Sequence, residues 1–331
     1  MRSHWQKSSH CVALPRSSQR RSKMQQHLIL PVILASFWTV CTGAGDWCYQ
    51  SQFTCDHQCN APEKWDQANG ACGGREQSPI NIITRKTLKD ERLTPFQFSN
   101  YQQTFRSTIK NNGHSVQVAV THLATISDGD LVTGYKAVQF HLHWGKNGGP
   151  GSEHTIDGEQ YPMELHIVHM KQQYTDLKVA LSDPNGVAVL GFFYEESNSA
   201  NKKYEPIINA LPSVKSTNGN TSLPPISLGQ LIPAQQNLTN YYRYKGSLTT
   251  PGCTESVIWT VFESPIPLSR DQLRAFSALQ FHDGKPMVGT FRPVQPLNGR
   301  TVRRSGAAAV LASAALLVAS VAAALGLSRP N

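Results

Sequence analysis

The sequence predicts a mainly β domain with short helices. Apolar residues recur at every second position in five separate runs, and the segments with helical character are brief. No repeat of roughly 20–50 residues is legible, so a solenoid or propeller is not expected. The 255 residues from Asp46 to Arg300 suffice for one domain with a large core. The strands are expected at residues 116–120, 137–143, 164–169, 187–194 and 257–263. Helices are expected at 201–211, after a polar lead, and at 269–279, where Ser269 caps the turn before Asp271 and Gln272.

Two of these strands carry histidines. Gln139-Phe140-His141-Leu142-His143-Trp144 turns His141 and His143 to one face and Leu142 to the other. His166 arrives 23 residues after His143, in Glu164-Leu165-His166-Ile167-Val168, with Glu164, His166 and Val168 on a common face. If these strands pair, three imidazoles converge. Three histidines that leave a fourth position open are a ligand set for catalytic zinc. A ligand histidine usually gives its second ring N–H to a nearby acceptor, which fixes its aim. Gln139 precedes His141 by two residues and Glu164 precedes His166 by two, so each is the expected partner of its ligand; a backbone carbonyl would serve His143.

Further motifs share the chain with this set: Gln77-Ser78-Pro79-Ile80-Asn81-Ile82, Asn111-Asn112-Gly113-His114-Ser115-Val116, Ser152-Glu153-His154-Thr155-Ile156-Asp157 and Gly246-Ser247-Leu248-Thr249-Thr250-Pro251-Gly252. In this order, from about Trp47 to Arg300, the chain resembles the alpha-class carbonic anhydrases. The resemblance implies a single twisted, mostly antiparallel central sheet with zinc at the base of a conical cavity. It also implies reversible hydration of carbon dioxide to bicarbonate and a proton. Zinc on three neutral imidazoles lowers the pKa of its bound water to about 7, giving a hydroxide nucleophile.

The remaining roles follow from the resemblance, and chemistry gives reasons for them. Carbon dioxide is apolar, and Val168, Val189, Leu248, Val257 and Trp259 form its wall. A Thr249 hydroxyl that donates to ionised Glu153 can only accept from the oxygen on the metal, which orients that oxygen's lone pair. Thr250 and the Thr249 backbone N–H contact substrate or bicarbonate. His114, with an ordinary pKa of about 6.5, matches the proton-shuttle position, and Tyr49 and Asn112 order the intervening water. His154 and His169 are read as structural.

Both ends read as removable. Residues 28–40 form a 13-residue apolar run followed by Cys41-Thr42-Gly43-Ala44-Gly45. That is short of the ~20 residues a span needs and suits a signal peptide. Residues 1–44 are therefore expected to be an extension and signal, whether translation starts at Met1 or Met24. Residues 45–304 would be the catalytic domain, and 305–331 a glycosylphosphatidylinositol signal with Ser305 as attachment residue. Residues 306–327 carry no charge, and Arg303 and Arg304 lie on what would be the outer flank, against the usual orientation of a spanning helix. The polar spacer of ~8–12 residues usual in such signals is missing, so a single-pass helix stays open as the alternative. The enzyme would then sit on the extracellular face of the plasma membrane, with bicarbonate transporters as partners.

Processing changes the charge balance. The formal charge is +9, but seven basic residues lie in the two ends, leaving 24 basic against 22 acidic. A mature chain near +2 gives no reason to expect nucleic acid as a partner. A secreted chain permits disulfides. By resemblance Cys48–Cys59 and Cys72–Cys253 pair, with Cys55 surplus and Cys48–Cys55 still open. Asn220 and Asn237 begin glycosylation sequons. Two other classes compete: a binding module of this fold, which typically lacks one or more ligands, and a zinc hydrolase, although no His-Glu-x-x-His motif is present.

Overall fold

A computed structural model describes residues 47–54, 59–120 and 123–306. The strands are β1 (Asn81–Ile82), β2 (Leu88–Asp90), β3 (Phe96–Ser99), β4 (Thr108–Asn111), β5 (Val116–Ala119), β6 (Thr125–Asp128), β7 (Tyr135–Trp144) and β8 (Thr155–Ile156). They continue as β9 (Glu159–Gln160), β10 (Met163–Lys171), β11 (Val187–Ser197), β12 (Asn220–Ser222), β13 (Tyr241–Gly246), β14 (Val257–Ser269) and β15 (Arg303–Ser305). Twelve form one sheet in the order β12-β4-β5-β7-β10-β11-β14-β13-β15-β2, with β3 and β6 joined at β7. Its pairings are antiparallel except β11 with β14 and β15 with β2. A small second sheet, β1-β8-β9, lies beside it.

All five expected strands are present, most of them longer than their apolar patterns. β14 runs on through Pro265 and Pro267, and its register with β11 slips between Phe192 and Tyr194 to absorb the extra residues. Such an irregularity lets proline sit in a strand without breaking the ladder. Strand β13 reads Tyr-Tyr-Arg-Tyr-Lys-Gly, and its alternation of Tyr242 and Tyr244 with Arg243 and Lys245 covers only four residues. The two- and three-residue strands are too short for any period.

The expected helices are short and capped. Asn201 accepts from the Lys203 N–H ahead of Glu205–Ala210. Ser269 and Gln272 form a reciprocal capping box on Arg270–Ala275, which ends in a 3-10 turn at Phe276–Ala278.

The central strands are covered on both faces. Phe140, Leu142, Leu165 and Ile167 pack into one cluster; Val168, Val189, Val257 and Trp259 pack into another. Cys48 is joined to Cys59 and Cys72 to Cys253. Cys55, the expected signal at residues 1–44 and the expected anchor segment from residue 307 lie outside the described residues. Ser305 closes β15, where its Oγ donates to the Thr239 carbonyl at 2.7 Å and accepts from the Tyr241 N–H at 2.9 Å. Asn220 and Asn237 are both exposed.

Candidate metal centre

Antiparallel pairing of β7 with β10 sets His166 directly opposite His141 and Glu164 opposite His143. Directly opposed residues share a sheet face, so the three imidazoles gather on one side. Their ring centroids lie 4.6–5.2 Å apart. One nitrogen from each ring falls within 4.8 Å of the other two.

The other nitrogen of each ring is engaged. His141 Nδ1 meets Gln139 Oε1 at 2.9 Å, His143 Nδ1 meets the Thr290 carbonyl at 2.6 Å, and His166 Nε2 meets Glu164 Oε1 at 2.8 Å. Elimination leaves His141 Nε2, His143 Nε2 and His166 Nδ1 facing one another. With acceptors on the opposite sides, the proton of each neutral ring belongs on the engaged nitrogen, and the inward nitrogen keeps its lone pair. Burial pushes all three rings below the ordinary histidine pKa, His143 to about 3, helped by the neighbouring imidazoles at His141 and His143. His143 Nε2 is buried without a hydrogen-bond partner. Three convergent neutral nitrogen donors, one of them orphaned, fit zinc.

Glu164 organises the floor of this site. Its Oε1 accepts from His154 Nδ1 at 2.7 Å as well as from His166, and its Oε2 accepts from the backbone N–H groups of Glu153 and His154 at 2.9 and 2.8 Å. Burial raises the carboxyl's pKa, but charge and hydrogen bonds from His154 and His166 outweigh it and hold Glu164 well below the usual range. His154 spends its second nitrogen on the Tyr244 hydroxyl at 2.6 Å, which leaves it no lone pair for a metal. His169 is tied to the Tyr101 hydroxyl at 2.6 Å on the other face.

Glu153 reaches in from the neighbouring loop. Its Oε1 accepts from the Arg292 backbone N–H at 2.8 Å; its Oε2, with no hydrogen-bond partner, lies 3.3 Å from His143 Nε2 and 3.8 Å from His166 Nδ1. Burial pushes this carboxyl well up, against the pull of the Arg292 N–H and the Thr249 hydroxyl. Thr249 is buried beside this carboxyl. A dication among the imidazoles favours the ionised carboxylate instead.

Val168, Val189, Val257 and Trp259 form one continuous apolar surface, with Leu248 packed against it. The Trp259 ring lies edge-on to His166 at 4.8 Å. Thr250 begins the turn closed by its carbonyl and the Cys253 N–H. His114 stacks on Trp47 at 3.8 Å, and Tyr49 stands 6.4 Å from it. The Tyr49 hydroxyl is buried with no hydrogen-bond partner. Asn112 spends its side-chain oxygen on the turn, accepting from the His114 and Ser115 N–H groups at 3.0 and 2.8 Å.

Comparison with known proteins decides the family. The family model for eukaryotic-type carbonic anhydrases matches residues 60–306. The chain belongs to that family. Among relatives, rat carbonic anhydrase 4 is 41% identical over 291 residues, covering 86% of this chain and 93% of that protein. Rabbit carbonic anhydrase 4 is 41% identical over 268 residues, 80% of this chain and 86% of that protein. Mouse carbonic anhydrase 15 is 36% identical over 303 residues, with coverages of 87% and 92%. The chain is thus a carbonic anhydrase enzyme, of a family that uses zinc, and its histidine triad is placed to bind the metal.

Three contributors to this site could not be named from the sequence, although a backbone carbonyl was expected for His143. Thr290 and Arg292 act through backbone atoms, which no side-chain pattern reveals. Trp47 was detectable only as an aromatic near the domain's start, with nothing to pair it with His114.

Proposed function

We propose that the chain hydrates carbon dioxide reversibly at the extracellular face of the plasma membrane, with His114 carrying protons to solvent. The single observation behind this is the triad itself, in which every ring has its outer nitrogen engaged and its inner nitrogen free. Zinc held by His141, His143 and His166 supplies a water that ionises near pH 7, the nucleophile the reaction needs. The neutral imidazoles leave the metal's charge undiminished, while Glu164, Gln139 and the Thr290 carbonyl fix their aim.

Thr249 selects the productive orientation. Donating to the Glu153 carboxylate, its Oγ1 presents only lone pairs to the cavity, so an oxygen beside it must bring its own proton. Carbon dioxide rests on the wall of Val168, Val189, Leu248, Val257 and Trp259, which offers no polar group to compete for it. Thr250 and the Thr249 N–H then hold the product's oxygens.

The released proton passes by water near the Tyr49 hydroxyl to His114, with Asn112 shaping the turn that presents the imidazole. Replacing His114 with Ala should slow turnover at low buffer by roughly a hundredfold, the lower end of what a positioned proton-transfer group contributes. Zinc content should not change, and added imidazole should restore part of the rate. Stopped-flow hydration at two buffer concentrations checks this; insensitivity to both the substitution and the buffer removes His114 from the route.

The mature protein is read as residues 45–305, glycosylated at Asn220 and Asn237 and tethered by a glycosylphosphatidylinositol anchor on Ser305. Bicarbonate transporters are the partners such a surface enzyme would serve. Phosphatidylinositol-specific phospholipase C should release active enzyme from intact cells. Recovery of residues 328–331 on the membrane-bound protein by mass spectrometry would establish a spanning helix instead.

A further inference from the structure

A cavity of about 600 Å³ opens on the sheet face opposite the metal centre. Strand β13 fixes the separation: Tyr242 and Tyr244 join the cluster that contains Trp259, while Arg243 and Lys245 point the other way, across from Thr260 and Ile258. Six cations line this cavity: Arg92, Lys171, Arg243, Lys245, Arg300 and Arg303. Glu76 and Asp130 also line it. Asp183 pairs Lys171, and the single carboxylate of Asp90 serves both Arg92 and Arg303. Glu255 acts on Arg300 beside Glu76, so five carboxylates face six cations.

Arg243 is the unusual member. It is 7% exposed, and its one hydrogen bond among the described residues runs from Nε to Thr260 Oγ1 at 3.1 Å. Its Nη2 is buried without a hydrogen-bond partner, and among the described residues Arg243 forms no direct ion pair, Asp130 acting on it only at longer range. Its direct cross-strand neighbour in β15 is Arg303, another cation. Like charges set opposite one another destabilise a strand pair, and a buried guanidinium without a counter-ion is costly. The rings of Phe96 and Tyr241, 5.6 and 5.8 Å away, offset part of this cost and supply no counter-charge.

We infer that this cavity binds a phosphate-type anion, inorganic phosphate or a phosphate monoester, between Arg243 and Arg303. The cationic excess, centred on the unpaired Arg243, suits an anion, and guanidinium forks suit tetrahedral oxyanions. The cavity is far larger than bicarbonate requires, so a phosphate can carry an organic substituent. Binding would stabilise the fold by mass action.

The test is a calorimetric titration and thermal-unfolding series on the zinc-loaded full chain in detergent, with inorganic phosphate as probe. Phosphate should raise the midpoint, and Arg243→Met should weaken phosphate binding at least about tenfold. Without phosphate, the Arg243→Met protein should be no less stable than the parent, with unchanged hydration activity; a purely structural Arg243 predicts the reverse. Arg303→Gln serves as second variant should Arg243→Met fail to fold. Absence of phosphate binding, binding retained by both variants, or an equal response to bicarbonate overturns the proposal. A second arm identifies the source of the phosphate. Arg243-dependent retention on phosphatidylcholine vesicles containing phosphatidylinositol phosphate, and not on phosphatidylcholine alone, assigns it to a headgroup. Free-phosphate binding without such retention assigns it to a soluble ester.

Discussion

Replacing His141, His143 or His166 with Ala should remove both zinc and hydration activity. Structural zinc sites with similar donors bind with about 10–16 kcal/mol, so one lost ligand is worth on the order of 4 kcal/mol, roughly a thousandfold in affinity. His154, whose ring lies 6.2 Å from that of His166, does not repair the loss, because both of its nitrogens are taken by Glu164 and Tyr244. Metal content by mass spectrometry and stopped-flow hydration check the outcome. Full zinc occupancy with normal turnover in any one variant would overturn the assignment of that ligand.

Removing the Cys72–Cys253 bridge, with both residues changed to Ala, should cost about 5 kcal/mol by the loop-entropy estimate. The bridge spans 181 residues, whereas Cys48–Cys59 spans 11 and should be worth about 3 kcal/mol. For a domain of this size the larger loss lowers the unfolding midpoint by roughly 10–20 °C. Activity should fall below the unfolding range too. Cys253 lies four residues after Thr249, Gln77 Nε2 donates to the Cys253 carbonyl, and Arg292 Nη2 donates to the Cys72 carbonyl. Arg292 in turn holds Glu153 through its backbone N–H, so the bridge secures both members of the Thr249–Glu153 pair. Paired thermal scans decide it: an equal or larger loss from the Cys48–Cys59 double variant would defeat the loop-length account.

The sequence disclosed what side-chain periodicity can encode. The period-two placement of His141, His143 and His166, with Gln139 and Glu164 two residues ahead, located the triad and two of its three supports before any pairing was known. The β7–β10 register was needed to bring the strands together. Ser269 and Gln272 likewise announced their helix, because a capping box is written in side chains. Strand β13 escaped notice because its alternation, Tyr242 and Tyr244 against Arg243 and Lys245, runs for only four residues. The support for His143 could be anticipated only as some carbonyl, since Thr290 offers a backbone oxygen. Glu164 proved broader than its spacing indicated: two residues from His166 suggests one contact, while the folded chain brings it four donors. Three of those four come from residues 153 and 154, ten or more positions away, and the loop path that delivers them has no period to read.

Strand β15 has a mechanical consequence for a tethered molecule. Its last residue is Ser305, so an anchor there leaves directly from the sheet, without an intervening leash. β15 lies between β13 and β2, antiparallel to one and parallel to the other. Tension along the strand loads its ladder bonds in shear, all together, instead of peeling them one at a time. The Ser305 hydroxyl adds a lateral clamp to Thr239 and Tyr241 at the point where the load enters. The neighbour that shares the load is β13, whose far end at Gly246 continues into Ser247, Leu248 and Thr249. Were Ser305 to carry the proposed anchor, drag on it would be borne by the strand that leads into the reactive turn, which would give that turn a stiff mount and limit how far the domain could swing.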